Sequence, residues 1–164
     1  MALPIDDKRA LRSRMRTMRR ALPNQAGRSE RIWATVEGLD AVVRAGTVMV
    51  FTSIAGEPDT APFIAWCHER DKLVVVPEDQ PDPTTVDVVV VPGVAFTPTG
   101  ARLGQGGGWY DRFLAAVRPD CTSIGVGFDP QVVDELPTEA HDIRLDTIVT
   151  ESGVAVPRRS NGSN

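Results

Sequence analysis

The spacing of hydrophobic and polar positions along this 164-residue chain changes period several times. Near the start, Leu11, Met15, Met18 and Leu22 fall on one stripe of a helix, with Asp6 and Asp7 ahead of it and Pro23 behind. A second helix is predicted from Ser29, a suitable cap, to about Arg44, with Ile32, Val36, Leu39 and Val43 at helical spacing. The pattern then turns to short β-branched runs bounded by Gly or Pro: "GTVMVFTSI" (Gly46–Ile54), "KLVVVP" (Lys72–Pro77), "VDVVVVPG" (Val86–Gly93) and "CTSIGVGF" (Cys121–Phe128). Such runs form strands buried on both faces. Between them "DTAPFIAWCHERD" and "GGWYDRFLAAVRP" carry helical spacing, "PQVVDEL" suits a short helical turn, and "DTIVT" suits a last strand. Strands alternating with helices predict an α/β protein, a three-layer, Rossmann-like α/β/α arrangement around a mostly parallel sheet. Ligands of such sheets bind beyond the carboxyl ends of the strands, which places the loops after Ile54, Pro92 and Phe128 at the expected site.

Composition narrows this picture. With 41% hydrophobic residues, the chain has enough apolar material for one core, so residues 1–156 are read as a single domain and the polar "PRRSNGSN" (157–164) as a disordered tail. Cys67 and Cys121 lie far apart inside apolar runs, as free thiols of a reducing compartment would. The basic N-terminus has no apolar signal core and no run approaches a membrane span, so a soluble, cytoplasmic protein is expected. The net charge of -4 conceals an asymmetry, because residues 1–31 hold nine of the eighteen Lys and Arg. Helical projection puts Lys8, Arg12, Arg16 and Arg19 in one sector beside the apolar stripe, with Arg14 on the other side. That sector is either a solvated face or an edge that meets an anion.

The stretch "GARLGQGGGWYDRF" (Gly100–Phe113) sets a glycine-rich loop against two aromatics and an Asp-Arg pair. Glycines let backbone N–H groups approach a ligand, and a run of them opening a helix suits an anion. It is not a Walker A loop, for it lacks the Lys and hydroxyl, and it lacks the distant acid of a dinucleotide fingerprint. A nucleotide phosphate is the natural ligand, with Arg102 as a fixed charge and Asp111 as a magnesium ligand. His68 has no partner at metal-binding spacing and reads as structural, and no zinc or iron site is suggested.

"PGVAFTPTGARLGQGGGWYDRFL" resembles the signature of the 5-formyltetrahydrofolate cyclo-ligase (methenyltetrahydrofolate synthetase) family. Three further segments are similar in order: "KRALRSRMR" to the family's K-x-x-x-R opening, "FTSIAGEPDT" to its acidic strand-end segment, and "LPTEAHDIRLDTIVTE" to its ending. The resemblance implies a CoA-transferase-like variant of the fold, and ATP- and Mg²⁺-dependent cyclisation of 5-formyltetrahydrofolate to 5,10-methenyltetrahydrofolate. It implies that Lys8, Arg12, Arg102, Leu103, Gly104, Gln105, Gly106, Gly107, Gly108, Trp109 and Tyr110 bind ATP. Of these, Gln105, Gly106, Gly107, Gly108 and Trp109 would also face the folate. Glu57 would hydrogen-bond the pterin through two acceptor oxygens. Asp111 and Asp142 would hold Mg²⁺, and Arg102 and Asp111 would serve catalysis. Trp109 stands where many members carry Tyr, and Gln105 replaces the commoner Tyr or Arg.

One departure stands out. The family usually carries a longer connection between the strands ending near Pro77 and beginning near Val86, where this chain has only "EDQPDPTT". A trimmed cover over a reactive intermediate leaves three readings: an active cyclo-ligase, a diverged ATP-using homologue acting on another carbonyl or amide, or a non-catalytic module binding a polyanion through the basic helix. The arginines have no interleaved aromatics for base stacking, which speaks against nucleic acid. The expected partner is 5-formyltetrahydrofolate, with or without a polyglutamate tail, and the expected state is a monomer with no membrane association.

Overall fold

Val88–Val91 offers no polar position to turn toward water, so it belongs inside a sheet covered on both faces, and all four valines are 0% exposed. The computed structural model describes residues 5–156; the predicted tail lies outside them. The helices are α1 (Ile5–Ala21), α2 (Gln25–Gly38), α3 (Asp40–Arg44), α4 (Ala61–Glu69) and α5 (Trp109–Ala115). The strands are β1 (Thr47–Val50), β2 (Leu73–Val75), β3 (Val88–Val91), β4 (Ala95–Phe96), β5 (Arg102–Leu103), β6 (Thr122–Val126), β7 (Thr147–Thr150) and β8 (Gly153–Val154).

Six strands form one sheet in the order β2-β1-β3-β6-β7-β8, parallel except for β8, and β4–β5 is a separate antiparallel hairpin. Alternate residues face opposite layers. Val48, Val50, Val88, Val90, Ile124, Val126 and Val149 pack with residues of α2, α3 and α4, whereas Met49, Val89, Val91 and Ile148 pack with Phe113 and Leu114 of α5. This is the expected three-layer α/β/α arrangement. The chain leaves β1 for β2 on one side and returns to β3 on the other, so the strand order reverses at β1/β3, and a crevice opens there beyond the carboxyl ends. Helix α1 lies outside these layers, its Leu11, Met15 and Met18 packed on Val94, Ala95 and Leu103 of the hairpin region.

Several local expectations are corrected. The second helix begins at Gln25 because Asn24, after Pro23, caps it by accepting from Gly27 N at 3.3 Å; Ser29 is buried within the helix instead. It breaks at Leu39 (ψ 133°), after Gly38, before α3. The helix after the glycine loop ends at Ala115, short of Pro119, and in "PQVVDEL" only a 3-10 turn at Asp129–Gln131 forms. β2 is an edge strand with Leu73 60% exposed, not a strand buried on both faces. Two 3-10 turns, Pro77–Asp79 and Pro83–Thr85, make up most of the short connection to β3. Both cysteines are buried free thiols, and burial raises each to a pKa of about 11, leaving almost no thiolate at neutral pH. No helix among the described residues is long and apolar enough to cross a membrane.

Candidate active site

Docking the apolar stripe of α1 on the hairpin carries its basic edge to the glycine loop. Arg12 Nε donates to Gly104 O at 2.8 Å, and Arg16 donates to the Gln105 side-chain oxygen. Lys8 Nζ meets Glu139 Oε1 at 2.7 Å, tying the start of α1 to the segment before β7. These elements enclose a cleft of about 420 Å³. Lys8, Arg12, Arg102, Leu103, Gly104, Gln105, Gly106, Gly107, Gly108, Trp109, Tyr110, Asp111 and Asp142 all line it. Residues drawn from three separate stretches of sequence are therefore brought to one wall system.

Arg102 is fixed from three sides. Its Nε donates to Pro92 O at 2.7 Å, its guanidinium lies 5.0 Å from the centre of the Tyr110 ring, and Gly104 leaves room for it. A Cβ on Gly104 would stand 2.6 Å from Arg102 Nη2. Burial pulls the Arg102 pKa down, while Asp111, Tyr110 and Asp142 act in the opposite sense, so the cation is held among groups that favour its charge. Burial also drives the Tyr110 hydroxyl upward, so it stays neutral. Gly108 caps α5 at φ 68°, a left-handed conformation that L side chains resist.

Among the described residues no three His, Cys, Asp or Glu side chains converge as a metal cage. Mg²⁺ requires none, since it takes one or two carboxylates and completes its shell with phosphate oxygens and water. Asp111 Oδ1 accepts from Ile143 N at 3.1 Å and Asp142 Oδ2 from Glu139 N at 2.7 Å, so each carboxylate is held by one oxygen; the other oxygen of Asp142 lies 3.6 Å from His141 Nε2. The donor set fits a magnesium ion shared with a triphosphate.

Glu57 lies elsewhere, in a neighbouring depression of about 370 Å³ lined also by Phe51, Thr52, Pro77 and Glu78. The two hollows share Pro92, Trp109 and Tyr110. Of the loop residues expected to face both ligands, Trp109 alone lines both hollows; Gln105, Gly106, Gly107 and Gly108 line the larger one. Glu57 Oε1 accepts from Ile54 N at 2.9 Å, which leaves one oxygen rather than two for a ligand. Burial raises the Glu57 pKa against the lowering effects of that backbone hydrogen bond and of Arg19.

Sequence reasoning missed Gly93, Pro137, Glu139 and His141 in the cleft and Glu78 in the second hollow. The carboxyl-end rule pointed at Gly93, which directly follows the β3 run. Pro137, Glu139 and His141 sit in irregular backbone whose only signal is proximity to Asp142. Arg19, grouped by helical projection with the basic edge, is instead 2% exposed and lines neither hollow.

The fold and the paired hollows define a mostly parallel α/β protein with a glycine-lined cleft of mixed charge at its topological switch point. The 5-formyltetrahydrofolate cyclo-ligase family profile matches residues 78–151. The chain is 34% identical to the 5-formyltetrahydrofolate cyclo-ligase of Escherichia coli (strain K12), over an alignment covering 69% of this chain and 82% of that one. It therefore belongs to the 5-formyltetrahydrofolate cyclo-ligase family. Among solved structures, the 5,10-methenyltetrahydrofolate synthetase of Aquifex aeolicus superposes with a TM-score of 0.79 at 28% identity, covering 96% of each chain. The synthetase from Mycoplasma pneumoniae shares the fold with a TM-score of 0.78 at 24% identity, over 88% of this chain and 99% of that one.

Proposed function

We propose that the protein catalyses the Mg·ATP-dependent cyclisation of 5-formyltetrahydrofolate to 5,10-methenyltetrahydrofolate, releasing ADP and phosphate. The observation that carries this reading is the shared wall. A cleft bearing Lys8, Arg12, Arg102 and two carboxylates abuts a second hollow bearing Glu57, with Trp109 and Tyr110 between them. Two substrates that must exchange a phosphoryl group need such adjacency.

A formamide oxygen is a weak nucleophile and a worse leaving group. In the first step it attacks the γ-phosphorus of ATP, the bond to the β-bridging oxygen breaks, and ADP departs. N10 of the folate then attacks the activated formyl carbon and gives up its proton to solvent, the carbon–oxygen bond breaks, and phosphate leaves as the new C–N bond closes the ring. Positioning and charge neutralisation do most of this work, and no protein nucleophile is required. Arg102 holds its charge toward the transferring group, Lys8 and Arg12 bind the remaining phosphates, and the loop Gly104–Gly108 offers backbone donors. Magnesium, held by Asp111 and Asp142, neutralises charge on the phosphate oxygens when bound. Glu57 accepts an N–H of the pterin through its remaining oxygen, and Trp109 offers a flat apolar face. Both hollows are built from one chain, which supports a monomer acting on a small-molecule substrate without nucleic acid. The two buried, unpaired thiols support a reducing, cytoplasmic setting.

The test is to mix protein, Mg·ATP and 5-formyltetrahydrofolate and follow the near-ultraviolet absorbance of the methenyl product. Product formation that requires both ATP and Mg²⁺ is expected. ATP binding by titration calorimetry with no product at any folate concentration would sink the reading.

A further inference from the structure

Arg19 is the one residue of the basic edge that the structure sends inward, and at 2% exposure it is among the most buried side chains of the protein. Its Nη1 donates to Gly93 O at 3.2 Å, while its Nε finds no partner among the described residues. Gly93 O does not depend on it, because Gln131 Nε2 donates there at 3.1 Å. A buried guanidinium with part of its donor fork idle is strongly disfavoured unless an anion faces it. The segment lying on it is the turn that carries Glu57. Gly56, at φ 87°, lets that turn rest directly on α1, and a Cβ there would stand 3.3 Å from Arg19 Nε and 3.2 Å from Arg20 Cγ.

We infer that Arg19 is a positioning residue for Glu57: its guanidinium, seated between the Gly93 carbonyl and the Ile54–Glu57 turn, supports the backbone that carries that carboxylate and acts on it through charge without a direct ion pair. The inference rests on the proposed function for the ligand's identity, and on the contact of Arg19 with the Gly56 backbone for its place beneath the turn. Electrostatics run the same way in both directions. Burial raises the Glu57 pKa and Arg19 opposes it; burial lowers the Arg19 pKa and Glu57 opposes that, with Arg16 and Arg20 adding to the lowering. The other groups around Glu57 are the Ile54 N–H of its own turn and, lining the same hollow, Tyr110 of α5 and Glu78 of the Pro77–Asp79 turn. Arg19 is thus the cation opposing protonation of Glu57. A neutral carboxyl loses acceptor strength toward a pterin N–H, so the charge on Arg19 maintains the acceptor that the folate needs.

The experiment has two arms. In the free protein, the Glu57 carboxyl is titrated by ¹³C NMR with ¹³C-labelled glutamate in wild type, Arg19→Met and Arg19→Lys, with Glu57→Gln assigning the signal. Arg19→Met should raise the midpoint by about one pH unit, and Arg19→Lys should restore most of it. In the kinetic arm, Arg19→Met should raise the folate KM about tenfold and leave the Mg·ATP KM within about twofold. In a Glu57→Gln background the same substitution should change the folate KM by less than about twofold, because its target is already gone. An unmoved Glu57 midpoint, an undiminished Arg19→Met effect in the Glu57→Gln background, or equal losses for both substrates would overturn the inference. If Arg19→Met does not fold, Arg19→Gln removes the charge while keeping a polar donor on a shorter side chain, and carries the same expectations. Should the wild type make no methenyl product, the proposed function fails, and the titration still decides whether Arg19 governs Glu57.

Discussion

Placing a methyl group on Gly104 tests whether the fixed position of Arg102 matters. In Gly104→Ala the new Cβ would stand 2.6 Å from Arg102 Nη2, 3.0 Å from Cζ and 3.2 Å from Nη1. Carbon and nitrogen settle at about 3.5 Å, so the guanidinium must retreat by about 1 Å. Arginine is flexible, but this one is pinned by its Nε bond to Pro92 O at 2.7 Å and by Tyr110 against its face. Losing that hydrogen bond costs about 1 kcal/mol. Moving a unit charge from about 4 to about 5 Å from a phosphate oxygen costs about 0.8 kcal/mol more at an effective dielectric constant of about 20. The first cost falls on free and loaded enzyme alike and lowers stability, whereas the second, about 0.8 kcal/mol, corresponds to a fall of about fourfold in kcat/KM for Mg·ATP. Initial rates of methenyl formation at varied Mg·ATP give the number. Gly38→Ala, at the end of α2 with nothing within 4 Å of the new methyl, should leave the rates unchanged. If Gly104→Ala matches the wild type while Arg102→Ala loses activity, the guanidinium has room to work elsewhere and the pinned geometry is irrelevant to the reaction.

Three other outcomes follow from the same geometry. On the proposed function Asp111→Asn removes an anionic magnesium ligand yet can still accept from Ile143 N, so activity should fall by about tenfold and recover in part at high Mg²⁺, with the thermal midpoint nearly unchanged by calorimetry. Glu139→Gln frees Lys8 from its 2.7 Å partner, so Mg·ATP should bind about two- to fivefold more tightly at low salt, with the gain fading as salt rises. Burial raises the Glu57 carboxyl, so the folded state favours its protonated form: that contribution to stability is complete below pH 4.5 and is lost as pH rises through the folded value. Glu57→Gln should therefore melt above the wild type at pH 7 and converge with it below pH 4.5, and scanning calorimetry across pH would expose a parallel offset if the reasoning is wrong.

What the sequence revealed depended on whether a residue's role was local. Val88–Val91 could be read directly, since a run with no polar face has one stable placement. The β4–β5 hairpin and β8 could not, because each strand has two residues, too few to show a period of two. Lys8 and Arg12 were legible from helical projection joined to the family resemblance. The same projection misplaced Arg19, because it gives direction around an axis and not depth along it. Arg12 reaches the glycine loop and Lys8 the segment before β7, while Arg19, further along α1, passes beneath Gly56 and beside Gly93. Glu139 and His141 belong to irregular backbone, where no period exists to be read.

The division of the site into two hollows also explains where this family can tolerate a short connection. The larger cleft draws on α1, on residues 92–111 and on residues 137–142, none of which belongs to the 77–86 segment. The smaller hollow takes Pro77 and Glu78 from that segment as part of its wall, beside Phe51, Thr52 and Glu57. On the proposed function, trimming the connection therefore bears on folate and leaves the phosphate-handling side intact. Trp109 and Tyr110 couple the two sides, being the side chains that, with Pro92, line both hollows. Whatever folate contact the short connection forgoes, the formyl oxygen must still be delivered across this wall to the phosphorus. On the proposed function, contacts at Trp109 and Tyr110 thus govern the chemical step, while those at Pro77 and Glu78 govern how much folate is needed to reach it.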